Sequence, residues 1–212
     1  MAEQMSTGVE VLDRELGGGL PSGSLVAFIA PPASQAELIL YELTSARETF
    51  YLSAVRTENG IIDAFNETNA QTGDPEIRYV GGDAVLENTR RSFRNVGESE
   101  GLIIDPIDPL EETDTTRYQK FLNDLKNHMT NTQGLAVMHC LKGDEDKTRK
   151  ITKHMADVIM DLRINHRGKV IYSKVTWGIN SRERIKTRIP RACRNRHQQR
   201  YCLTFFCFNI VF

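Results

Sequence analysis

The chain has 212 residues, with 27 Lys and Arg against 28 Asp and Glu and a formal net charge of −1. This length suits one α/β domain, with or without an appendage. No apolar run approaches the roughly 18 residues of a transmembrane helix, and the N-terminus lacks a secretory leader. We therefore expect a cytoplasmic protein without a membrane partner.

The near-zero net charge hides two different kinds of sequence. Residues 1–165 hold 27 acidic and 16 basic residues, a net charge of −11. Residues 166–212 hold one acidic residue, Glu183, and 11 basic residues, a net charge of +10. The tail therefore needs an interpretation of its own.

The chain opens with a short predicted helix. Thr7-x-x-Glu10 has the pattern of a capping box, and Leu12 and Leu16 share an apolar face. Three glycines at 17–19 end this helix, and a turn at residues 20–23 leads into the first long strand.

Residues 24–37, SLVAFIAPPASQAE, predict a buried strand, a tight turn and the start of a helix. A P-loop holds phosphate at such a junction, with the pattern G-x-x-x-x-G-K-[ST]. The eight residues at these positions are Ala30, Pro31, Pro32, Ala33, Ser34, Gln35, Ala36 and Glu37. Both glycines, the lysine and the hydroxyl residue are replaced, and the prolines remove two N–H donors. The favoured interpretation is that Ser34-x-x-Glu37 only caps the helix.

Strands and helices alternate through the rest of the body. The predicted strands are 49–54, 76–80, 101–105 and 134–141, and the predicted helices are 59–69, 84–96, 113–129 and 147–155. Segments 157–163 and 170–175 predict a terminal hairpin. This order predicts a mostly parallel central sheet with helices on both faces.

The entry segment STGVEVLDRELGGGLPSGSLVAFIAPP resembles that of the KaiC/RadA-like branch of the RecA superfamily, in which S-T-G-x-x-x-L-D-x-x-L-G-G-G-L/I-P-x-G-S precedes the P-loop strand. GLIIDPIDPL is similar to the Walker B strand, and HMADVIMDLR to a late core strand with the pattern H-x-A-D. The resemblance covers about residues 6–175 and is strongest to haloarchaeal paralogues with a degenerate P-loop. It implies a three-layer RecA-like core over residues 1–175, followed by an aberrant tail at 176–212.

The same resemblance implies the candidate site residues. Asp105 would be the Walker B carboxylate that orients Mg²⁺-bound water, and Glu58 the catalytic base. Residues 30–37 would be the degenerate nucleotide-binding loop. We expect no cofactor, or weak ATP with Mg²⁺, and a regulatory or scaffolding role through protein partners or a homo-oligomer of RecA-like cores. The alternative is an active or weak archaeal ATPase of DNA repair or signalling that binds DNA.

Three further groups of residues have a structural and a functional interpretation. The acidic residues after the Walker B strand (Asp108, Glu111, Glu112 and Asp114) predict a solvated loop that begins a helix. Basic residues at 78, 90, 91 and 94 would contact DNA in the less favoured alternative. His139 and Cys140 adjoin in a strand and point to opposite faces, which argues against a nucleophile pair.

The tail after about residue 176 is basic and aromatic and carries Cys193, His197, Cys202 and Cys207. Their spacing does not match the usual zinc sites, and ten apolar residues are too few to span a membrane. Related proteins end in a string similar to VEIDTSRDIA, and its codons read one base earlier can encode CRNRHQQRYC, residues 193–202. Our hypothesis is a frameshift between Val175 and Arg191, which resequencing of the locus tests.

Overall fold

The computed structural model describes residues 3–32, 34, 36–143, 147–167, 170–179, 203–204 and 208–209. The strands are β1 (Gln4–Met5), β2 (Leu20–Pro21), β3 (Ser24–Ala30), β4 (Thr49–Ser53), β5 (Glu76–Tyr79), β6 (Gly101–Asp105), β7 (Leu135–Leu141), β8 (Val158–Arg167), β9 (Val170–Ile179), β10 (Leu203–Thr204) and β11 (Phe208–Asn209). The helices are α1 (Glu10–Leu16), α2 (Ala36–Leu43), α3 (Glu58–Glu67), α4 (Val85–Phe93), α5 (Asp108–Glu111), α6 (Thr115–Thr132) and α7 (Lys147–Met155).

The main sheet has six central strands in the order β5-β4-β6-β7-β3-β8, all parallel. β9 pairs antiparallel with β8 as the predicted hairpin, and the two short strands β10 and β11 of the tail pair with β9. Residues 176–179 end β9, and the remainder of the tail, including all four of its candidate zinc ligands, lies outside the described residues. The predicted α/β fold with a mostly parallel sheet is confirmed.

Helices cover both faces of this sheet because its central strands are apolar on both sides. All seven residues of β3 are buried. One face packs against α1, α2 and α3, where Leu12, Leu40 and Ile61 are in the core. The other packs against α4, α5, α6 and α7, where Phe93 and Phe121 belong to a second core. A strand buried on both faces reads as a continuous apolar run, which is why the sequence reveals β3 clearly.

The entry segment folds around one carboxylate rather than around the predicted capping box. Asp13 Oδ1 accepts hydrogen bonds from the backbone N–H of Thr7 at 2.7 Å and from its hydroxyl at 2.6 Å. Val9 is the N-cap residue of α1, and its side chain makes no capping bond. Gly19 adopts a φ of +127°, and a Cβ there would lie 2.0 Å from the Met5 carbonyl oxygen. The Thr7–Glu10 capping box was therefore wrong.

A second carboxylate, Asp157 of the H-x-A-D pattern, anchors the amino ends of the strands. Its Oδ2 accepts from the Leu25 backbone N–H at 2.8 Å and from Lys126 Nζ at 2.5 Å. Lys126 also donates to the Gly23 carbonyl at 3.0 Å. This cluster lies at the end of the sheet opposite to the candidate site and joins α6 to the starts of β3 and β8.

Candidate functional site

The carboxyl ends of β3, β6 and β7 meet at one edge of the sheet, the edge at which open α/β folds bind ligands. β3 ends at Ala30, which pairs with Leu141 of β7, and Phe28 pairs with His139. Asp105 is the last residue of β6, and Ser53 of β4 pairs with it. The turn that follows β3 leads directly into α2, so the strand–turn–helix junction predicted from residues 24–37 is present.

The turn itself departs from a phosphate-binding loop in its side chains. Ala30 and Ala36 are buried, Pro31 and Glu37 are half-buried, and Pro32 is exposed. Ala33 and Gln35 lie outside the described residues. Glu37 is in the first turn of α2, where its charge suits the positive end of the helix.

Ser34 does not form the predicted capping box. It is only 6% exposed, and its Oγ has no hydrogen-bond partner in the part of the chain that the structure describes. In a capping box this oxygen would accept the backbone N–H of Glu37. Buried hydroxyls are normally hydrogen-bonded, so Ser34 Oγ is an exception within the described residues.

Asp105 is buried and surrounded by three donors. His139 Nδ1 lies 2.6 Å from its Oδ1, while the Tyr51 hydroxyl at 2.5 Å and Arg56 Nη2 at 3.0 Å bind its Oδ2. Burial alone would raise the pKa of Asp105, but the hydrogen bonds from His139 and Tyr51 and the charge of Arg56 lower it overall. The carboxylate is therefore ionised and neutralised by the protein itself.

Arg56 is the cation of this group, which we call the Asp105 network (Asp105, Arg56, Tyr51 and His139). Burial would lower the pKa of Arg56, yet Tyr41, Tyr51 and Asp105 raise it overall, so the guanidinium stays charged. Its side chain is 38% exposed. Tyr41, from α2, packs against Phe65 of α3 with tilted rings and 4.3 Å between ring centroids, and Phe65 also contacts Tyr51 edge-on at 5.6 Å. The helix after the turn is thus packed against the same aromatic residues that hold the network.

His139 has a second nitrogen that the network does not use. Its Nε2 is buried and without a hydrogen-bond partner among the described residues, and its ring lies 5.8 Å from that of Phe28. The neighbouring Cys140 points into the other core, where burial raises the pKa of its thiol. The prediction that His139 and Cys140 do not form a nucleophile pair is confirmed.

Glu58 is placed away from Asp105. It is the first residue of α3, is exposed, and its Oε1 accepts the Tyr79 backbone N–H of β5 at 3.1 Å. β5 lies on the side of β4 that faces away from β6. Among the described residues, no hydrogen bond or ion pair joins the Glu58 and Asp105 side chains, and the catalytic role of Glu58 stays a prediction.

The sequence did not reveal a second buried network beside the site. Arg149 of α7 binds both carboxylate oxygens of Glu111, at 2.8 and 3.0 Å, and Asp108 Oδ1 at 2.8 Å. Thr152 also donates to Glu111, and its hydroxyl lies 2.7 Å from that of Tyr118. Glu111 is 5% exposed and burial raises its pKa. The predicted solvated loop was therefore wrong at α5, because an arginine distant in sequence allows the acid to be buried.

The arginines considered for DNA contact do not form one free surface. Arg90 pairs with Asp124 at 3.3 Å, and Arg78 pairs with Glu76 while lying 6.0 Å from the Phe50 ring centroid. Arg91 and Arg94 are exposed. The basic character of this helix is thus reduced by local pairing.

Comparison with known proteins identifies the family. Residues 4–184 match a family of unknown function, DUF7125. The chain belongs to this family. No curated protein matches the sequence. Among solved structures, a KaiC-like protein of the hyperthermophilic archaeon Pyrococcus horikoshii superposes with a TM-score of 0.62 at 11% identity, over 82% of this chain and 87% of that one.

This DUF7125 chain therefore has a RecA-like α/β fold of the KaiC-like P-loop NTPase type. At 11% identity the likeness shows the fold alone, so the RadA-like and haloarchaeal assignment stays a prediction.

Across the described residues, no three His, Cys, Asp or Glu side chains gather in a group able to hold a metal ion. Within the same ranges, no helix is both long and apolar enough to cross a bilayer.

Proposed function

We propose that this protein is a non-hydrolysing member of the KaiC-like fold that acts by binding protein partners. The observation that carries the proposal is the Asp105 network. Asp105 Oδ2 already accepts two donors and Oδ1 accepts a third, so few lone pairs remain for a metal or its water. The guanidinium of Arg56 is the counter-charge that Mg²⁺ would otherwise supply.

The phosphate side of the site supports the same conclusion. Pro31 and Pro32 offer no N–H to a phosphate, and Ala36 stands where the pattern requires lysine. The Glu37 carboxylate, in place of the hydroxyl, would repel a triphosphate at the start of α2. The residues present therefore do not fit Mg·ATP, and we expect no cofactor or only weak nucleotide binding.

The function that remains for this protein is to bind partners through its surface rather than to catalyse a reaction. The central strands are packed between helices on both faces, so the described core is held by apolar contacts of the chain itself. We propose that this surface serves regulation or scaffolding. The cytoplasmic location expected from the sequence stays a prediction.

Calorimetric titration of Mg·ATP into the full-length chain tests this proposal. The matched variant carries Gln35→Gly, Ala36→Lys and Glu37→Thr, which restores the second glycine, the lysine and the hydroxyl of the P-loop pattern. We expect no heat of binding in the parent protein and measurable binding in the repaired variant. Micromolar binding by the parent would overturn the proposal.

A second candidate function is a weak ATPase, tied in the sequence resemblance to DNA repair or signalling. Two buried atoms favour a ligand here, Ser34 Oγ and His139 Nε2, since neither has a partner in the described part of the chain. An ATPase would show Mg·ATP turnover that Asp105→Ala abolishes. The absence of turnover in the wild-type protein would exclude this candidate.

A further inference from the structure

A cleft of about 410 Å³, which we call the basic groove, lies between α6 and α7 on the face of the sheet opposite to α2 and α3. Its wall on α6 includes Gln119 and Asn123, and its wall on α7 includes Lys147, Lys150, Ile151 and Met155. No acidic residue of the described chain lines it. The candidate site at the strand edge does not account for this cleft.

The basic groove has the length of a short helical segment. Ile151 and Met155 lie four residues apart on α7, and Gln119 and Asn123 lie four apart on α6, so each pair shares one helix face. From Lys147 to Met155 the helix rises by about 12 Å, at 1.5 Å per residue. This length suits about two turns of a helix laid along the cleft, with apolar side chains at i, i+4 and i+7.

Hydrogen bonds beneath the basic groove fix its two walls. The Tyr118 hydroxyl of α6 lies 2.7 Å from the Thr152 hydroxyl of α7. Arg149 of α7 binds Glu111 and Asp108 of α5, each at 2.8 Å. Because the inner side of α7 is held by both neighbouring helices, the cleft is formed before a partner arrives. A preformed cleft lowers the ordering cost of binding.

The basic groove combines an apolar floor with unpaired cations. Ile151 and Met155 are half-buried and pack against the core beneath. Lys147 and Lys150 are exposed, and their side chains make no ion pair or hydrogen bond within the described residues. These lysines stand in a body whose net charge is −11 over residues 1–165. The three acidic residues at 144–146, directly before Lys147, lie outside the described residues.

We propose that the basic groove is the docking site for an acidic amphipathic helix of a partner protein. Aliphatic side chains of that helix lie on Ile151 and Met155, and its carboxylates face Lys147 and Lys150. The inference deepens the proposed function and rests on it, because it names the surface and the chemistry of the partner.

The chemistry of the groove disfavours two other occupants. Nucleic acid is bound by rows of cations along its phosphates, whereas this cleft offers two lysines beside an apolar floor in an acidic body. The tail of the same chain carries a net charge of +10 over residues 166–212, so the lysines of the groove would repel it. An acidic helix satisfies both the charge and the apolar floor.

Fluorescence anisotropy of a labelled synthetic peptide, titrated with the full-length protein, tests the proposal. The acidic probe is an amphipathic helix of about 16 residues with leucine at i, i+3, i+4 and i+7 and glutamate on both flanks. The basic probe has lysine in place of every glutamate. We expect wild-type protein to bind the acidic probe and not the basic one.

Variants of the groove separate its charge from its apolar floor. Lys150→Glu should weaken binding of the acidic probe about tenfold or more, and Lys147→Glu combined with Lys150→Glu should prefer the basic probe. Ile151→Gln should weaken binding without a change of charge. Lys120→Glu makes the same charge change at an exposed residue of α6 that does not line the groove, and should behave as wild type.

Several outcomes would overturn the proposal. They are no binding of the acidic probe, equal binding of both probes, a Lys150→Glu variant that binds as wild type, or a Lys120→Glu variant as weak as Lys150→Glu. Binding of a labelled DNA duplex in place of the acidic probe, lost in Lys150→Glu, would assign the groove to nucleic acid. Self-association of the wild-type protein that Lys150→Glu abolishes, without probe binding, would assign it to a second copy.

Titration of Mg·ATP into the same samples separates this inference from the proposed function. Nucleotide binding by a protein that also binds the acidic probe through Lys150 would overturn the proposed function alone. A protein that binds neither nucleotide nor the acidic probe would overturn the inference about the groove alone.

Discussion

The two buried acid–arginine networks of the molecule use similar residues in different surroundings. At the strand edge, Asp105 binds Arg56, which is 38% exposed. Between the helices, Glu111 binds Arg149, whose side chain is only 9% exposed. The pKa of Asp105 is lowered by its donors, whereas burial raises that of Glu111. Glu111 also accepts donors, from Arg149 and Thr152, but there burial outweighs them, whereas at Asp105 the donors outweigh burial.

The difference in exposure between Arg56 and Arg149 predicts that the two networks lose different amounts of stability when one side chain is removed. A cation that reaches solvent can be hydrated after its acid is lost, whereas an acid buried beneath a helix cannot. We call the second group, formed by Glu111, Asp108, Arg149, Thr152 and Tyr118, the helix network. We expect it to depend more strongly on its arginine than the Asp105 network depends on any single member.

The largest expected effect is that of Arg149→Met. It leaves Glu111 buried without its cation and Asp108 without its main partner, and should lower the free energy of unfolding by about 3–5 kcal/mol. Urea denaturation of the full-length protein measures it. The exposed neighbour Lys150→Met should change stability by less than about 0.5 kcal/mol. An Arg149 variant as stable as this control would contradict the role of the helix network.

Asp105→Asn should have a smaller effect, a loss of about 2–3 kcal/mol, because Arg56 and His139 lose a charged acceptor while Arg56 can still reach water. The same denaturation experiment measures it. If Asp105 instead held a metal in solution, the variant would lose stability only when Mg²⁺ is present and not after chelation. Equal losses in both buffers are expected here.

Removing a single hydroxyl from each network compares the stability that one hydrogen bond contributes in each. Tyr51→Phe takes one donor from Asp105 and should cost about 1 kcal/mol. Tyr118→Phe, in the helix network, should cost a similar amount, since Thr152 still donates to Glu111. A much larger loss for Tyr51→Phe would mean that Arg56 and His139 do not hold Asp105 by themselves.

The smallest effect is on the acid dependence of stability, where the two networks act in opposite directions. The lowered pKa of Asp105 gives stability that is present above its unfolded value and is lost as pH falls through the folded value. The raised pKa of Glu111 gives stability that is present below its unfolded value and is lost as pH rises through the folded value.

Asp105→Asn should therefore flatten the loss of stability between about pH 5 and pH 3, and Glu111→Gln should steepen it. Each change stays below about 1.4 kcal/mol per pH unit, the limit for one proton. Denaturant midpoints measured at each pH, relative to the value of the same variant at pH 7, test the signs. Parallel curves for the two variants would contradict the assigned pKa directions.

The fold was predictable because its strands are buried on both faces and its helices are amphipathic. The helix at Lys147–Met155 agrees with its predicted bounds, and the strand at Gly101–Asp105 does too. Helix α5 was missed because its four residues are too few for a periodic pattern. The antiparallel pairing of β8 and β9 agrees with the predicted hairpin.

The candidate site was only partly predictable. The position of Asp105 at a strand end followed from the apolar run before it, but its three donors come from residues 51, 56 and 139. No local pattern links these positions, since tertiary structure alone brings them together. Arg56 carries one signal in retrospect, a cation three residues after the end of a buried strand. Ser34 looked like a helix cap because sequence shows spacing but not the direction of its hydroxyl.

The pairing of β3 has a consequence for the order in which the protein is made. Its two neighbouring strands are β7 and β8. Ser24 pairs with Leu135 and Val26 with Val158, and both partners are synthesised much later than β3. At about 5–20 residues per second, this apolar strand leaves the ribosome many seconds before either partner exists. The nascent chain therefore carries this apolar strand without its neighbours for about half of its synthesis, and slower synthesis would lengthen that interval. A chaperone that covers residues 24–30 would act before any of the surfaces of the finished protein has formed.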